Sequence, residues 1–527
     1  MSVFTKVAGL STAFALGIVS LPASAQTTNW TGFYFGGNLG LGAGHNTSQD
    51  TTTLNPPGGT PGVINPIAST LYYQTPIDLL AGGQVGYNYQ SGLWVFGAEA
   101  DFDWTSQRSV SWSDSFLAST TVVSPSRQSL YTDQTLKWLS TWRARAGRAD
   151  GSWLWYLTGG MAVAQIDSSY GFSANNATGN TFNTPGNAAM NASAVKIGWT
   201  FGGGVETSLA SFNLPKWSAK LEYMYVDLGN ISNTLNAQAP NITAGYAVTS
   251  SSDIRDHVIR VGLNYRFGAP GPLESEAPPA AATPQRSWTG FYIGGNAGGS
   301  LGLNPTTDVT TFSPAGSTGG TPPGINNPMT NASFNHSPSG LLGGGQLGYS
   351  MQFGNWLVGV EGDWDYANQT SVVTKQVFTA SSTTVAPTLL GYSDEQHIRW
   401  IATTRARFGR VEDNWMWFLT GGLAFAQIDS TYNLSANSTF ATLNGLFPGS
   451  MTTGGVQAGW TIGGGMETSL AGLGLANWTG KLEYLYVNLG NISNTMLVPS
   501  GGGQGYMFTS SSAINIHMAR LGINYHF

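Results

Sequence analysis

The sequence predicts an all-β chain that crosses a membrane as an antiparallel up-and-down β-barrel, in two tandem units of eight strands. Three observations predict it. First, only 9% of the 527 residues are charged, against about 25% in soluble domains, while 12% are aromatic and 71 are glycine. Second, apolar and polar residues alternate singly, the mark of strands with one apolar and one polar face. Third, the whole pattern occurs twice. Mean hydropathy is close to zero, and beyond the N-terminus no run of about 20 apolar residues could cross a bilayer as a helix.

The first element is a leader. Lys6 supplies a thin positive region, VAGLSTAFALGIVSL an apolar one, and Ala23–Ala25 a small-residue cleavage site, so residues 1–25 are expected to be an export signal removed before Gln26. The apolar run is too short for a membrane anchor. With no cysteine, an exported chain has no disulfide framework, so its stability must come from hydrogen-bonded closure and burial. A net charge of −6 gives no argument for nucleic acid.

The two units are residues 26–267 and 288–527. Trp30 returns as Trp288, TWRARAGR as TTRARFGR, GWTFGGGVETSLA as GWTIGGGMETSLA, and KLEYMYVDLGNISNT as KLEYLYVNLGNISNT. Within the first unit the segment 94–104 is the clearest strand. Trp94, Phe96, Ala98, Ala100, Phe102 and Trp104 share one side, while Val95, Gly97, Glu99, Asp101 and Asp103 share the other. Seven more strands are expected near 30–42, 79–90, 135–148, 152–166, 195–210, 217–228 and 254–267. Their connections alternate between tight turns (QSG, ADG, SFNLPK) and long polar stretches at 43–78, 105–134, 167–194 and 229–253. Short turns at one end and long loops at the other describe an outer-membrane barrel with its long loops outside the cell. Trp94 and Trp104 are ten residues apart, and at ~3.3 Å per residue and a tilt near 40° they span about 25 Å, the height of the apolar band between aromatic girdles.

Residues 268–287, GAPGPLESEAPPAAATPQRS, have no strand pattern and five prolines, and are expected to be a periplasmic linker. The alternative is one sixteen-stranded barrel. In that case the strand ending at Phe267 would pair with the one starting at Trp288, and a turn of a few residues would suffice. A Pro-rich chain of this length reaches about 60 Å and can connect neighbouring barrels. Two eight-stranded barrels are therefore the favoured architecture.

WTGFYFGGNLG, VFGAEADFDW, RARAGR, YLTGGMAVA, LEYMYVDLG and the NYRF ending resemble the alphaproteobacterial outer-membrane immunogenic proteins, small OmpA/Opa-like eight-stranded barrels. The resemblance covers nearly the whole mature chain, twice. It implies an outer-membrane location, contact with outer-membrane lipid and lipopolysaccharide, and insertion by the barrel assembly machinery. It further implies that Tyr525 and Phe527, on the outward face of the last strand, are an assembly signal. The chain departs from the family in being duplicated. The peptidoglycan-binding domain of larger relatives is not recognisable, so cell-wall anchoring is not expected.

Periodicity points Glu99, Asp101 and Asp103 inward from one strand and Arg143 and Arg145 from the next, with Glu206, Lys220, Glu222 and Arg260 on later strands. The second unit repeats this with Glu361, Asp363, Asp365, Arg405, Arg407, Glu467, Lys481, Glu483 and Arg520. An eight-stranded lumen is just wide enough for side chains to fill, and buried charges must be paired. The alternating acids and bases therefore predict a plug of ion pairs. The E-x-D-x-D run could hold Ca²⁺ through oxygen ligands, but i, i+2 carboxylates on a strand lie about 6.5–7 Å apart at Cα, and no loop wraps them. No metal site is expected. His45, His257, His336, His397, His517 and His526 form no metal or catalytic motif and mostly do not recur between units, so nothing nominates a nucleophile and base and no enzyme is expected. The glycines of GGNLGLGAG open a strand rather than a helix, which excludes a dinucleotide loop, and no cofactor is expected.

Three functions compete on this reading. One is a non-catalytic barrel contributing to envelope integrity and surface loop display. The second is a porin for small solutes. The third is an adhesin or ligand receptor whose loop ligand the sequence does not name.

Overall fold

The computed structural model describes residues 28–55, 68–117, 126–176, 186–210, 214–238, 245–267, 287–312, 330–379, 388–412, 414–438, 449–471, 474–499 and 505–527. The expected leader and all but the last residue of the expected linker lie outside the described residues. The first repeat runs β1 (Gly32–Gly44), β2 (Asn46–Asn55), β3 (Ala68–Gln74), β4 (Ile77–Ser91), β5 (Trp94–Leu117), β6 (Ser126–Asp150), β7 (Trp153–Asn176), β8 (Gly186–Ser208), β9 (Trp217–Gln238) and β10 (Gly245–Arg266). The second follows as β11 (Gly290–Gly302), β12 (Asn304–Phe312), β13 (Thr330–His336), β14 (Ser339–Phe353), β15 (Trp356–Thr379), β16 (Thr388–Glu412), β17 (Trp415–Ser438), β18 (Gly449–Ser469), β19 (Trp478–Pro499) and β20 (Gly505–His526).

The half near the short turns contains two separate rings. β1 pairs with β4 on one side and β10 on the other, and antiparallel pairing from β4 through β10 closes eight strands. β11, β14 to β20 close the second ring in the same way. Closure leaves no edge in this half, as a lipid-embedded sheet requires. Tight turns suit the closure. Gly92 (φ 61°) and its counterpart Gly354 (φ 60°) adopt the left-handed backbone that joins adjacent strands there.

Alternation gives each ring two faces. Outward side chains such as Phe35, Val85, Phe96, Trp104, Trp142, Ile197 and Leu263 are exposed, while Val95, Glu99 and Asp103 on the inward side of β5 are buried. The two rings touch near the short turns, where Trp153 stacks on Trp415 (ring centroids 4.7 Å) and Trp417 (5.5 Å), and Trp155 on Trp415 (5.4 Å).

Toward the long loops the structure departs from expectation. The stretches 43–78, 105–134, 167–194 and 229–253, read as polar loops, are largely strand: they contain β2 and β3 and the extended ends of β5 to β10. Their Ser, Thr and Asn residues alternate just as the membrane segments do, and cross-strand hydrogen bonds stand in for apolar contact, as between Thr234 and Thr249 (3.0 Å) or Ser48 and Ser252 (2.6 Å). Asp114, expected in an exposed loop, lies half-buried in β5 opposite Ser129 of β6. Among the described residues each repeat also has ten strand segments, not eight, because the chain breaks at His45 and Thr75–Pro76, and again at Leu303 and Ser337–Pro338. Proline has no N–H for the ladder, so a strand passing through it is interrupted.

Pairing in this half crosses between repeats. β3 pairs with β15, β13 with β5, and Asn335 of β13 with Tyr73 of β3. Followed through β10–β2–β3–β15 on one side and β20–β12–β13–β5 on the other, the strands here form two sheets that each draw on both repeats, β9–β10–β2–β3–β15–β16–β17–β18 and β19–β20–β12–β13–β5–β6–β7–β8. The β8–β9 and β18–β19 ladders stop at Trp199–Asp227 and Trp460–Asn488 although all four strands continue. Two closed rings in the apolar band thus give way above it to two sheets shared between the repeats, and among the described residues no pairing joins them there along β8–β9 or β18–β19.

Candidate functional site: the filled barrel interiors

Each interior is layered. Next to the short turns of the first ring, Trp30, Val95, Ala149, Leu154 and Tyr156 form an apolar cap. Above it sits the charged layer, and above that a second apolar layer including Leu80, Leu139, Ile166, Met224 and Val258. The second ring repeats the order, with Trp288, Leu357 and Met416 below and Ile401, Ile428, Leu485 and Met518 above.

The charged layer is a lattice. In the first ring Arg143 donates from Nη2 to Asp101 Oδ2 (2.8 Å) and to Glu99, and from Nη1 to Glu222 Oε1 (2.9 Å). Arg260 reaches Asp103 Oδ2 (2.7 Å) and Asp101 Oδ2 (2.7 Å) with its two terminal nitrogens, and its Nε donates to Glu222 Oε2 (2.9 Å). Lys220 Nζ donates to both Glu99 oxygens (2.8 and 2.9 Å), and Arg145 Nη2 to Glu206 Oε2 (2.8 Å). In the second ring Arg405 joins Glu361 (2.5 Å), Asp363 (2.7 Å) and Glu483 (2.6 Å), and Arg407 joins Glu467 (2.8 Å). Lys481 holds Glu361 (2.9 Å), while Arg520 holds Asp363 (2.8 Å), Glu483 (2.8 Å) and Asp365. The structure brings together all the inward acids and bases that periodicity selects, and every one is buried. Charge-assisted and partly bidentate bonds of this kind offset the cost of taking the ions out of water.

Several members escaped sequence reasoning. Tyr34 donates to Glu99 Oε2 (2.8 Å) and accepts from Arg145 Nη1 (2.9 Å); Tyr292 does the same with Glu361 and Arg407. The available clue was an inward Tyr between outward aromatics or aliphatics in GFYFGGN and GFYIGGN. Its hydroxyl needs a bare backbone opposite: a Cβ on Gly86 would lie 2.3 Å from the Tyr34 hydroxyl oxygen, and on Gly348 2.3 Å from that of Tyr292. Tyr156 lies under the Arg145 guanidinium (3.9 Å to the ring centroid), a place Phe418 takes under Arg407 (4.0 Å). Arg266 lies over the Trp30 ring, and its counterpart His526 lies 3.3 Å from Glu467 Oε1.

The other singled-out residues are dispersed. Among the described residues, no three His, Asp or Glu side chains are arranged to hold a metal ion. His257 and His517 bond the hydroxyls of Tyr223 (2.8 Å) and Tyr484 (2.7 Å), and His336 faces Asp394 (3.0 Å) in full burial. Tyr525 and Phe527 end the β20 side of the second ring, with Phe527 exposed and their rings 5.4 Å apart; Tyr265 and Phe267 take the same places in the first repeat.

Comparison with known proteins agrees with this architecture. Residues 11–267 and 276–527 each match the outer membrane protein beta-barrel domain. The 31 kDa outer-membrane immunogenic protein of Brucella melitensis biotype 1 is 32% identical over 263 residues, 48% of this chain and 90% of that protein. The 25 kDa outer-membrane immunogenic protein of Brucella abortus biovar 1 is 27% identical over 264 residues, 49% of this chain and 92% of its own length. Among solved structures, a Pseudomonas aeruginosa FadL homologue aligns over 94% of this chain and 90% of its own at 9% identity, with a TM-score of 0.21 that carries no weight. The matched domain accounts for both repeats, and the chain belongs to the outer membrane protein beta-barrel family.

Proposed function

We propose that this outer-membrane protein is a non-catalytic structural barrel pair that strengthens the envelope and displays its long-loop face outside the cell, rather than a conduit for solutes. The observation that carries this reading is the filled interior. In both rings a lattice of paired charges lies between two apolar layers, and an ion crossing it would have to displace partners several kcal/mol deep in a narrow, filled lumen. A sixteen-stranded channel would leave an aqueous path through the apolar band, whereas pairing in that band closes eight strands at a time. Support for a non-catalytic role comes from the interior acids, which engage Arg and Lys side chains and so are not free to act as bases. Outer-membrane lipid and lipopolysaccharide around the apolar band, and the assembly machinery at the Tyr525–Phe527 end, are the partners this reading names.

Planar-bilayer recording of the purified protein tests it. Silence, or rare openings of very small conductance, is expected. Steady conductance of porin size would replace this reading with the channel.

A further inference from the structure

We infer that the two repeats are locked into one body above the membrane by reciprocal strand exchange, hinged at Pro76 and Pro338, so that each repeat is the other's binding partner. The argument begins at the hinge. Below it, β4 pairs with its own neighbour β5 as far as Leu80–Thr105, and β14 with β15 as far as Ser339–Thr370. A straight continuation would put β3 on β5 and β13 on β15. Proline interrupts both strands at equivalent positions, and Gly44 and Gly302 donate to the Pro76 and Pro338 carbonyls (2.7 Å each), holding the two hinges in the same geometry.

Above the hinges the partners change. Ala68 to Leu71 of β3 lie opposite Val377 to Thr374 of β15, and Thr330 to Ser333 of β13 lie opposite Ser115 to Trp112 of β5. The two crossings are the same contact made in both directions, the arrangement of an isologous interface, here within one chain. Backbone hydrogen bonds alone do not favour exchange, because self-closure would satisfy as many. Side chains favour it. Tyr72 from one repeat is buried with Ala332, Phe334 and Val373 from the other. Beneath them Ala43 packs with Leu301 and Leu303. His45 bonds the Ser337 hydroxyl (2.6 Å) and stacks on Tyr73, and Lys375 donates to the Asp114 carbonyl (3.5 Å). These contacts bury apolar side chains from both repeats against each other and pair His45 with Ser337 and Lys375 with Asp114 across them.

Cysteine pairs in the full-length chain, which has no native cysteine, separate the two arrangements. Thr374→Cys is combined with Leu71→Cys, its neighbour in the exchanged form, or with Ser333→Cys, which holds in the second repeat the place Leu71 holds in the first. Membranes are oxidised, the chain is denatured, and free thiols are counted by a maleimide mass tag, with heat-modifiability confirming that each variant folded. Exchange predicts loss of both tags in the Leu71→Cys pair and retention of both in the Ser333→Cys pair. Loss confined to the Ser333→Cys pair shows self-closure. Loss in neither, equal loss in both, or disulfide-linked dimers would each overturn exchange within the chain.

Discussion

Arg143 touches three carboxylates from two other strands, Glu99, Asp101 and Glu222, and that concentration makes it the sharpest single test of the lattice. Arg143→Ala leaves those anions short of a partner in a buried interior and should lower unfolding stability by about 3–5 kcal/mol, read as the urea midpoint of the heat-modifiable band. Arg108→Ala, which breaks an outward pair with Asp133 on a side chain more than half exposed, should leave that midpoint where it is, because solvent already screens the pair. Gly86 offers a second test. Gly86→Ala sets a methyl against the Tyr34 hydroxyl and the Ala98 carbonyl and should cost about 1–3 kcal/mol. Combined with Tyr34→Phe, which removes the hydroxyl, part of that cost should vanish, so the two changes should not add. Strict additivity would mean that Tyr34 is not seated against Gly86.

At the scale of the strand, alternation was enough to assign faces. Asp103 and Trp104 are neighbours in sequence, yet one is fully buried and the other 66% exposed. Strand length was less legible. Ser111, Thr132 and Ser252 continue their strands with buried polar side chains above the lower rings, and a polar residue on an inward position is indistinguishable in sequence from one in a loop. The tight turns can be probed directly. Gly92 has φ 61°, and Gly92→Val should cost about 1–2 kcal/mol for forcing a branched side chain into the left-handed region, whereas Gly92→Asn, which tolerates that region, should cost less. Equal losses would show that the turn responds to side-chain bulk rather than backbone.

The whole molecule should fractionate with the outer membrane and shift on gels only after boiling, since each lower ring is closed without an edge. Recovery as a soluble periplasmic protein would contradict the fold. A chain cut back to residues 26–267 keeps every pairing of its own lower ring but loses the partners of β3 and β5 above it. It should remain heat-modifiable, with protease cutting around β2 and β3 faster than in the full chain, because an unpaired strand opens more readily. Equal protection there would mean that a lone repeat closes on itself.

Period-two alternation, the duplicated motifs and the near balance of inward acids and bases were local properties, and they sufficed for the membrane band: eight strands, an outward apolar face, a charged interior. Glu99 and Arg143 could be placed on facing strands because a ladder partner follows from strand order and face. The Tyr34 hydroxyl, the cation–π seat of Arg145 and the pairing of strands between the repeats could not be placed this way. Each depends on atoms brought together from distant parts of the chain. At the hinges of Pro76 and Pro338, two pairings satisfy the backbone equally well, so the choice rests on how Tyr72, Phe334 and Val373 pack once both barrels stand side by side. That packing energy belongs to the assembled molecule, and no local pattern of residues encodes it.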